Sequence, residues 1–231
     1  MMKLIVFDLD GTLAALGKGI EPKSLEQLKA LEDAGARIAI CSGKPTYYLC
    51  GFMRQVGLKA PILVGENGAV IQMGVDLPPR EYHVAPYSEA AKRSIRLLRE
   101  AFERDVEGMW YQPNEVVLTP FPRNDAEFAA VQSCIDALRD ELADVIVYRH
   151  CDSFDITPEG ITKKSGLERL GALLGISALE TVAVGDGVND YPMFEYAGHA
   201  VGVSVKDESK VDVNFPEIRE ALTYLLSLMK K

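Results

Sequence analysis

Residues 3–12 read KLIVFDLDGT, and the reading of this stretch decides the fold. Leu4, Ile5, Val6 and Phe7 form an apolar run too short for a helix and suited to a buried strand. Asp8 and Asp10 then stand one residue apart where the run ends, followed at once by Gly11 and Thr12. In an extended chain two such residues point to the same side, with about 6–7 Å between their Cα atoms. That gap accommodates a reacting group, with one carboxylate attacking and the other moving a proton. Burying both charges is costly unless a cation joins them.

Outward from this strand, short apolar runs alternate with helical patterns. "EPKSLEQLKALEDAG" places Leu25, Leu28 and Leu31 at helical spacing and ends at Gly35. "RIAICSG" reads as a second strand, residues from about Pro45 to Val56 as a helix, and "PILVGENG" as a third strand. This β-α-β-α-β order predicts a parallel sheet with right-handed crossovers. The pattern changes from about Pro79, where two long helices, "SEAAKRSIRLLREAFERD" and "NDAEFAAVQSCIDALRDEL", accompany strand-like "EVVLTPF" and "DVIVYRH". Afterwards come a helix in "KKSGLERLGALLG", strands in "TVAVGDG" and "HAVGV", and a closing amphipathic helix with Lys230 and Lys231 in its last turn. The expected fold class is α/β: a Rossmann-like parallel-sheet core over residues 1–79 and 153–231, interrupted by a small α+β domain over 80–152.

Polar residues fall where the strands end. The first strand ends in Asp8, the second in Ser42-Gly43-Lys44, the third in Glu66-Asn67-Gly68, and a later one in Asp186-Gly187. Open α/β sheets bind ligands at the carboxyl ends of their strands, so four segments deliver reactive groups to one edge. Asp186 adds a third acidic group and Asp190 a fourth. Oxygen ligands of this kind suit Mg2+, which takes one or two carboxylates, keeps several waters and binds substrate phosphate.

The composition, 48% hydrophobic and 26% charged, is that of a soluble globular protein. A net charge of −9 with no basic stripe argues against a nucleic-acid partner. No apolar stretch approaches the roughly 18–20 residues of a membrane helix, and the first apolar run meets Asp8 too soon for a signal peptide. Cys41, Cys50, Cys134 and Cys151 lack C-x-x-C spacing, which points to reduced thiols in a cytoplasmic protein. His83, His150 and His199 show no metal-ligand spacing.

"DLDGT", "CSGK", Lys163 and "GDGVND" together resemble the four motifs of the haloacid dehalogenase superfamily of phosphohydrolases, in order along the whole chain. The insert after the second motif resembles a type IIB cap, and its size resembles the small-capped, Cof-like and phosphoglycolate-phosphatase-like branch. The resemblance implies a Mg2+-dependent phosphomonoesterase acting on a small phosphorylated metabolite, such as a sugar phosphate or a phosphoglycolate-like compound. It implies Asp8 as nucleophile, forming an aspartyl-phosphate, and Asp10 as general acid and base. Metal ligands would be the Asp8 carboxylate, the Asp10 backbone carbonyl and Asp186. Ser42 and Gly43 would bind the phosphoryl group, with Lys44 standing where many relatives carry Arg.

Lys163 would place its charge against phosphate and nucleophile, with Lys164 a second candidate. Asn189 would complete its loop, and Asp190 would orient the lysine or a metal-bound water. Asn67 in its loop would face the substrate, although Asn-Gly is also an ordinary tight-turn pair. Trp110 and Tyr111 either line the inserted domain's inner face or pack within it, and Arg149 and His150 either touch the substrate's far end or lie on an exposed edge. A phosphomutase of the same fold, and a phospho-accepting binding module without turnover, are the alternatives.

Overall fold

The computed structural model describes residues 2–229; Lys230 and Lys231, expected in the last helical turn, lie outside them. Two compact units result, residues 1–83 with 162–231, and residues 84–161. Strands and helices are numbered in chain order.

The first unit is a large, mostly parallel sheet with helices on both faces. At its centre β1 (Leu4–Phe7) pairs in parallel with β2 (Arg37–Cys41) and β10 (Thr181–Gly185). Beyond β2 lie β3 (Ile62–Gly65), also parallel, then antiparallel β4 (Val70–Met73) and β5 (Glu81–Val84). Beyond β10 lie parallel β11 (His199–Val203) and β12 (Val213–Phe215). Every residue of β1 is buried, as the unbroken apolar run requires. Its side chains alternate: Ile5 and Phe7 join the core on one face, Leu4 and Val6 the core on the other.

Helices α1 (Pro22–Asp33), α2 (Thr46–Val56) and α7 (Ile218–Met229) cover the Ile5–Phe7 face. Pro22 opens α1 at a position where its missing N–H costs nothing, and Leu28 and Leu31 are its buried stripe. Each such leucine contributes about 1.5–3 kcal/mol by leaving water. Helices α5 (Lys163–Leu174) and α6 (Tyr191–Tyr196) cover the Leu4–Val6 face. Cys41 sits on that face with its thiol pushed by burial up to about 12, an inert core residue.

The second unit holds α3 (Glu89–Asp105) and α4 (Asp125–Leu138), with β6 (Trp110–Gln112) paired to β7 (Thr119–Phe121), and β8 (Val145–Arg149) paired to β9 (Phe154–Pro158). A bridge between Leu118 and Ile156 joins the two hairpins. Ser88 and Asn124 cap the two helices by accepting from the Ala91 and Glu127 amides. Leu98, Phe102, Val131, Phe154 and Ile156 form its core.

The architecture differs from the sequence expectation in several places. The sequence pattern predicts no strand at β4, β5, β6, β9 or β12. β9 pairs with β8 along its length, so residues 153–161 belong with the second unit rather than with the core. β7 keeps only the last three residues of "EVVLTPF". Trp110 stays 56% exposed, edge-on to Phe121 with centroids 5.0 Å apart, whereas Tyr111 packs on the unit's core. No helix among the described residues is long and apolar enough to cross a membrane.

Candidate active site

The carboxyl ends of β1, β2, β3 and β10 all lie on one edge of the first unit, since these four strands run in parallel. Asp8 follows β1 directly, and its amide still donates to the Val184 carbonyl of β10 at 2.9 Å. That bond carries the sheet geometry one residue past the strand and fixes the side chain at the edge. The chain then turns tightly, with the Gly11 amide donating to Ala14 O and the Ala14 amide to Leu9 O. Gly11 has φ +95°, and a Cβ there would stand 2.5 Å from Asp186 Oδ2, so no other residue fits between this loop and the acidic group.

A lysine occupies the centre. Lys163 is buried, and its Nζ donates at 2.6 Å to both Asp8 Oδ1 and Asp190 Oδ1. It stands there because Thr162 starts α5 as N-cap: the Thr162 side chain accepts from Ser165 N, and Ser165 Oγ accepts from Thr162 N. Lys164, one residue on, is half-exposed and pairs with Glu195 at 3.7 Å. Asp190 is fully engaged, its Oδ1 with Lys163 and its Oδ2 accepting from the Asp186 and Gly187 amides at 2.9 and 3.1 Å. Asp186 Oδ1 accepts from the buried Thr12 hydroxyl at 2.8 Å. Thr12 is not among the site residues expected from sequence, and its only signal there is its place directly after the Asp-x-Asp-Gly stretch.

The electrostatics follow from burial. Burial pushes the Asp8 carboxyl up, and despite the opposing pull of Lys163 it sits at about 6, with Asp190 and Asp186 adding to the rise. Burial alone would lower Lys163, but Asp8 and Asp190 outweigh it and hold the ammonium charged well above neutral pH. Asp186 is raised by burial, partly countered by the Thr12 hydrogen bond. One ammonium faces three carboxylates, and oxygens of Asp8, Asp186 and Asp190 lie within 4.8 Å of one another. A hard divalent cation fits this donor set, because it would offset the surplus negative charge with ligands that are all oxygen.

A second group borders the edge after β2 and β3. Ser42 is buried, its amide donating to Val64 O and its Oγ accepting from Lys44 N at 3.2 Å. The Asn67 amide donates to Ser42 O at 3.0 Å, and the Asn67 carboxamide lies against Gly43, where a Cβ would meet it at 3.3 Å. Lys44 and Asn67 are partly exposed at this rim. Asn189 is exposed and folds back over Gly187, its Oδ1 being 2.6 Å from where a Cβ of that glycine would be. Asp10 is partly exposed. In the second unit Arg149 lies over the Phe128 ring at 4.9 Å, and His150 Nε2 is 3.2 Å from Asp155 Oδ2.

A family model for haloacid dehalogenase-like hydrolases matches residues 5–133 and 125–210. The chain belongs to that family. It is 29% identical over 213 residues to a phosphoglycolate phosphatase of Methanoculleus marisnigri, covering 90% of this chain and 85% of the relative. It is 27% identical over 227 residues to one of Methanothermobacter thermautotrophicus, covering 98% and 92%. A haloacid dehalogenase-like hydrolase from Bacteroides thetaiotaomicron shares the fold with a TM-score of 0.76 at 21% identity, over 97% of this chain and 100% of that one. A subclass IIB sugar phosphatase does so with a TM-score of 0.69 at 21% identity, over 96% and 98%. This haloacid dehalogenase-like hydrolase therefore shares with them a Rossmann-like core sheet interrupted by a smaller α+β unit.

Proposed function

We propose that this phosphatase of the haloacid dehalogenase-like family hydrolyses a small phosphate monoester in the cytoplasm, through an aspartyl-phosphate on Asp8 and with Mg2+. The observation that carries this reading is a buried carboxylate at the end of the central strand, with one oxygen held by a buried lysine at 2.6 Å. Lys163 fixes Oδ1 of Asp8 and leaves the other oxygen to attack phosphorus. As that bond forms, the bond from phosphorus to the ester oxygen breaks, and Asp10 gives its proton to the departing alcohol. Asp10 then takes a proton from the water that attacks the aspartyl-phosphate, releasing inorganic phosphate and restoring Asp8.

Asp8, Asp186 and the Asp10 carbonyl would hold Mg2+, with Asp190 and Thr12 steering Lys163 and Asp186. When bound, the ion supplies positive charge that offsets repulsion between nucleophile and phosphoryl oxygens. Ser42, Gly43, Lys44 and Asn67 bind the phosphoryl group, and Asn189 closes the loop after β10. The unit from Val84 to Ile161 is the type IIB cap. Its relatives' names favour a short phosphorylated acid of the phosphoglycolate kind as substrate.

The test is phosphate release from 2-phosphoglycolate, hexose phosphates, sucrose phosphate and pyridoxal phosphate, with Mg2+ and with chelator. Metal-dependent release that disappears in Asp8→Asn is the expected result. A folded, Mg2+-binding protein that releases phosphate from none of them would refute the reading.

A further inference from the structure

The three residues after β3 adopt a left-handed backbone in succession: φ is +53° at Glu66, +54° at Asn67 and +101° at Gly68. Two adjacent non-glycine residues in this region are uncommon, and persist only where the surroundings over-determine them. Here they do. The Glu66 amide donates to Lys44 O and the Asn67 amide to Ser42 O, both at 3.0 Å, which pins the turn to the loop after β2.

The turn's other side meets the start of α5. A Cβ on Gly68 would collide with the Thr162 carbonyl oxygen, and one on Gly166 would stand 2.5 Å from Gly68 Cα. The two backbones therefore touch, with no side chain between them. One turn further along α5, the Arg169 guanidinium donates to Ala69 O at 3.3 and 3.4 Å. Burial pulls Arg169 below the ordinary arginine value. Among the described residues it has no carboxylate in ion-pair range, so this partly buried guanidinium gives up part of its hydration for a neutral carbonyl.

We propose that Arg169 is a positioning residue: by clasping the carbonyl that follows the Glu66–Gly68 turn, it locks α5 against the phosphate-binding loop and sets where Lys163 stands. The inference rests on the proposed role of Lys163 in phosphoryl transfer. Lys163 and Arg169 lie on one helix, about 9 Å apart along its axis. The Gly68–Gly166 contact lies between them. A lysine that must meet two carboxylates at 2.6 Å tolerates little drift, and a misplacement of about 1 Å at a reacting centre costs up to a hundredfold in rate.

The experiment compares wild type, Arg169→Met and Arg169→Lys. The 15N-lysine ammonium resonance of Lys163, assigned by its loss in Lys163→Met, is read alongside kcat and KM on p-nitrophenyl phosphate. Arg169→Met is expected to shift or broaden the Lys163 signal and to lower kcat by about ten- to a hundredfold, with KM within about twofold. Arg169→Lys, or millimolar guanidinium added to Arg169→Met, is expected to restore part of both.

An unmoved Lys163 resonance overturns the proposal, whatever happens to kcat. Should Arg169→Met not fold, Arg169→Lys carries the same reading with a smaller expected displacement. A wild type that hydrolyses no phosphate ester overturns the functional reading instead, and the resonance alone then decides the positioning role.

Discussion

Lys163→Met separates a site lysine from a surface one, and its cost can be worked from the geometry. The ammonium makes two bonds of 2.6 Å to carboxylates that are themselves 5% and 0% exposed. Methionine keeps the apolar stem but leaves Asp8 and Asp190 buried without their counter-ion. Removing one partner of a buried pair costs about 3–5 kcal/mol, because the surviving charge stays uncompensated. Lys164→Met removes a pair at 3.7 Å whose side chains are 42% and 61% exposed. Water already screens that pair, and its loss costs under about 0.5 kcal/mol.

The deficit in Lys163→Met also depends on pH. Burial already raises Asp8 above the unfolded value, to about 6. Folding therefore gains from its proton at low pH, and that gain is lost as pH rises through the folded value. Without Lys163 the carboxyl moves higher still, at about 1.4 kcal/mol per unit, so the deficit is larger at pH 8 than at pH 5. Urea unfolding of both variants at the two pH values, in chelator, measures this, and phosphate release tests the chemistry in parallel. Equal stability of the two lysine variants, or a Lys164→Met variant that loses more activity than Lys163→Met, would refute the assignment.

Thr12→Val keeps the shape of a buried residue but removes the 2.8 Å bond to Asp186 Oδ1. The Mg2+ concentration for half-maximal activity should rise about tenfold, as for other supports of a metal ligand, and an unchanged metal titration would count against that role. Mg2+ alone should raise the melting temperature of wild type and do so far less for Asp186→Asn; equal shifts would place the ion elsewhere. The hydrogen bond to Asp155, aided by Asp152 and opposed by burial, holds His150 above the ordinary histidine value. Its stabilising contribution is therefore full below that ordinary value and lost as pH rises through the folded one. In proton NMR its titration midpoint should fall in Asp155→Asn; a midpoint that stays put would show another cause.

What could be read from the sequence and what could not divide along a physical line. β1, β2, β3 and β10 are buried on both faces, so each appears as an apolar run, and the polar residues at their ends stand out against it. The strands that escaped reading are short or lie away from that centre. β12 is three half-buried residues at the sheet edge, and β9 alternates Phe154 and Ile156 with Asp155 and Thr157, half of its pattern polar. At the site, strand ends indicate which side chains reach the edge, because alternation and parallel register are local rules.

They do not indicate what holds those side chains still. The Thr12 bond to Asp186 spans 174 positions, and the Arg169 bond to Ala69 spans 100. No periodicity connects residues so far apart. "ENG" shows a turn, but not that Glu66 and Asn67 both take a positive φ, since neither residue type demands it. The reacting groups proposed for the site are thus residue types with few substitutes, while their placement rests on contacts between ordinary residues that only the folded chain brings together. Arg169→Met and Lys163→Met test these two contributions separately: the first keeps every proposed reacting group but loosens where Lys163 stands, and the second removes one.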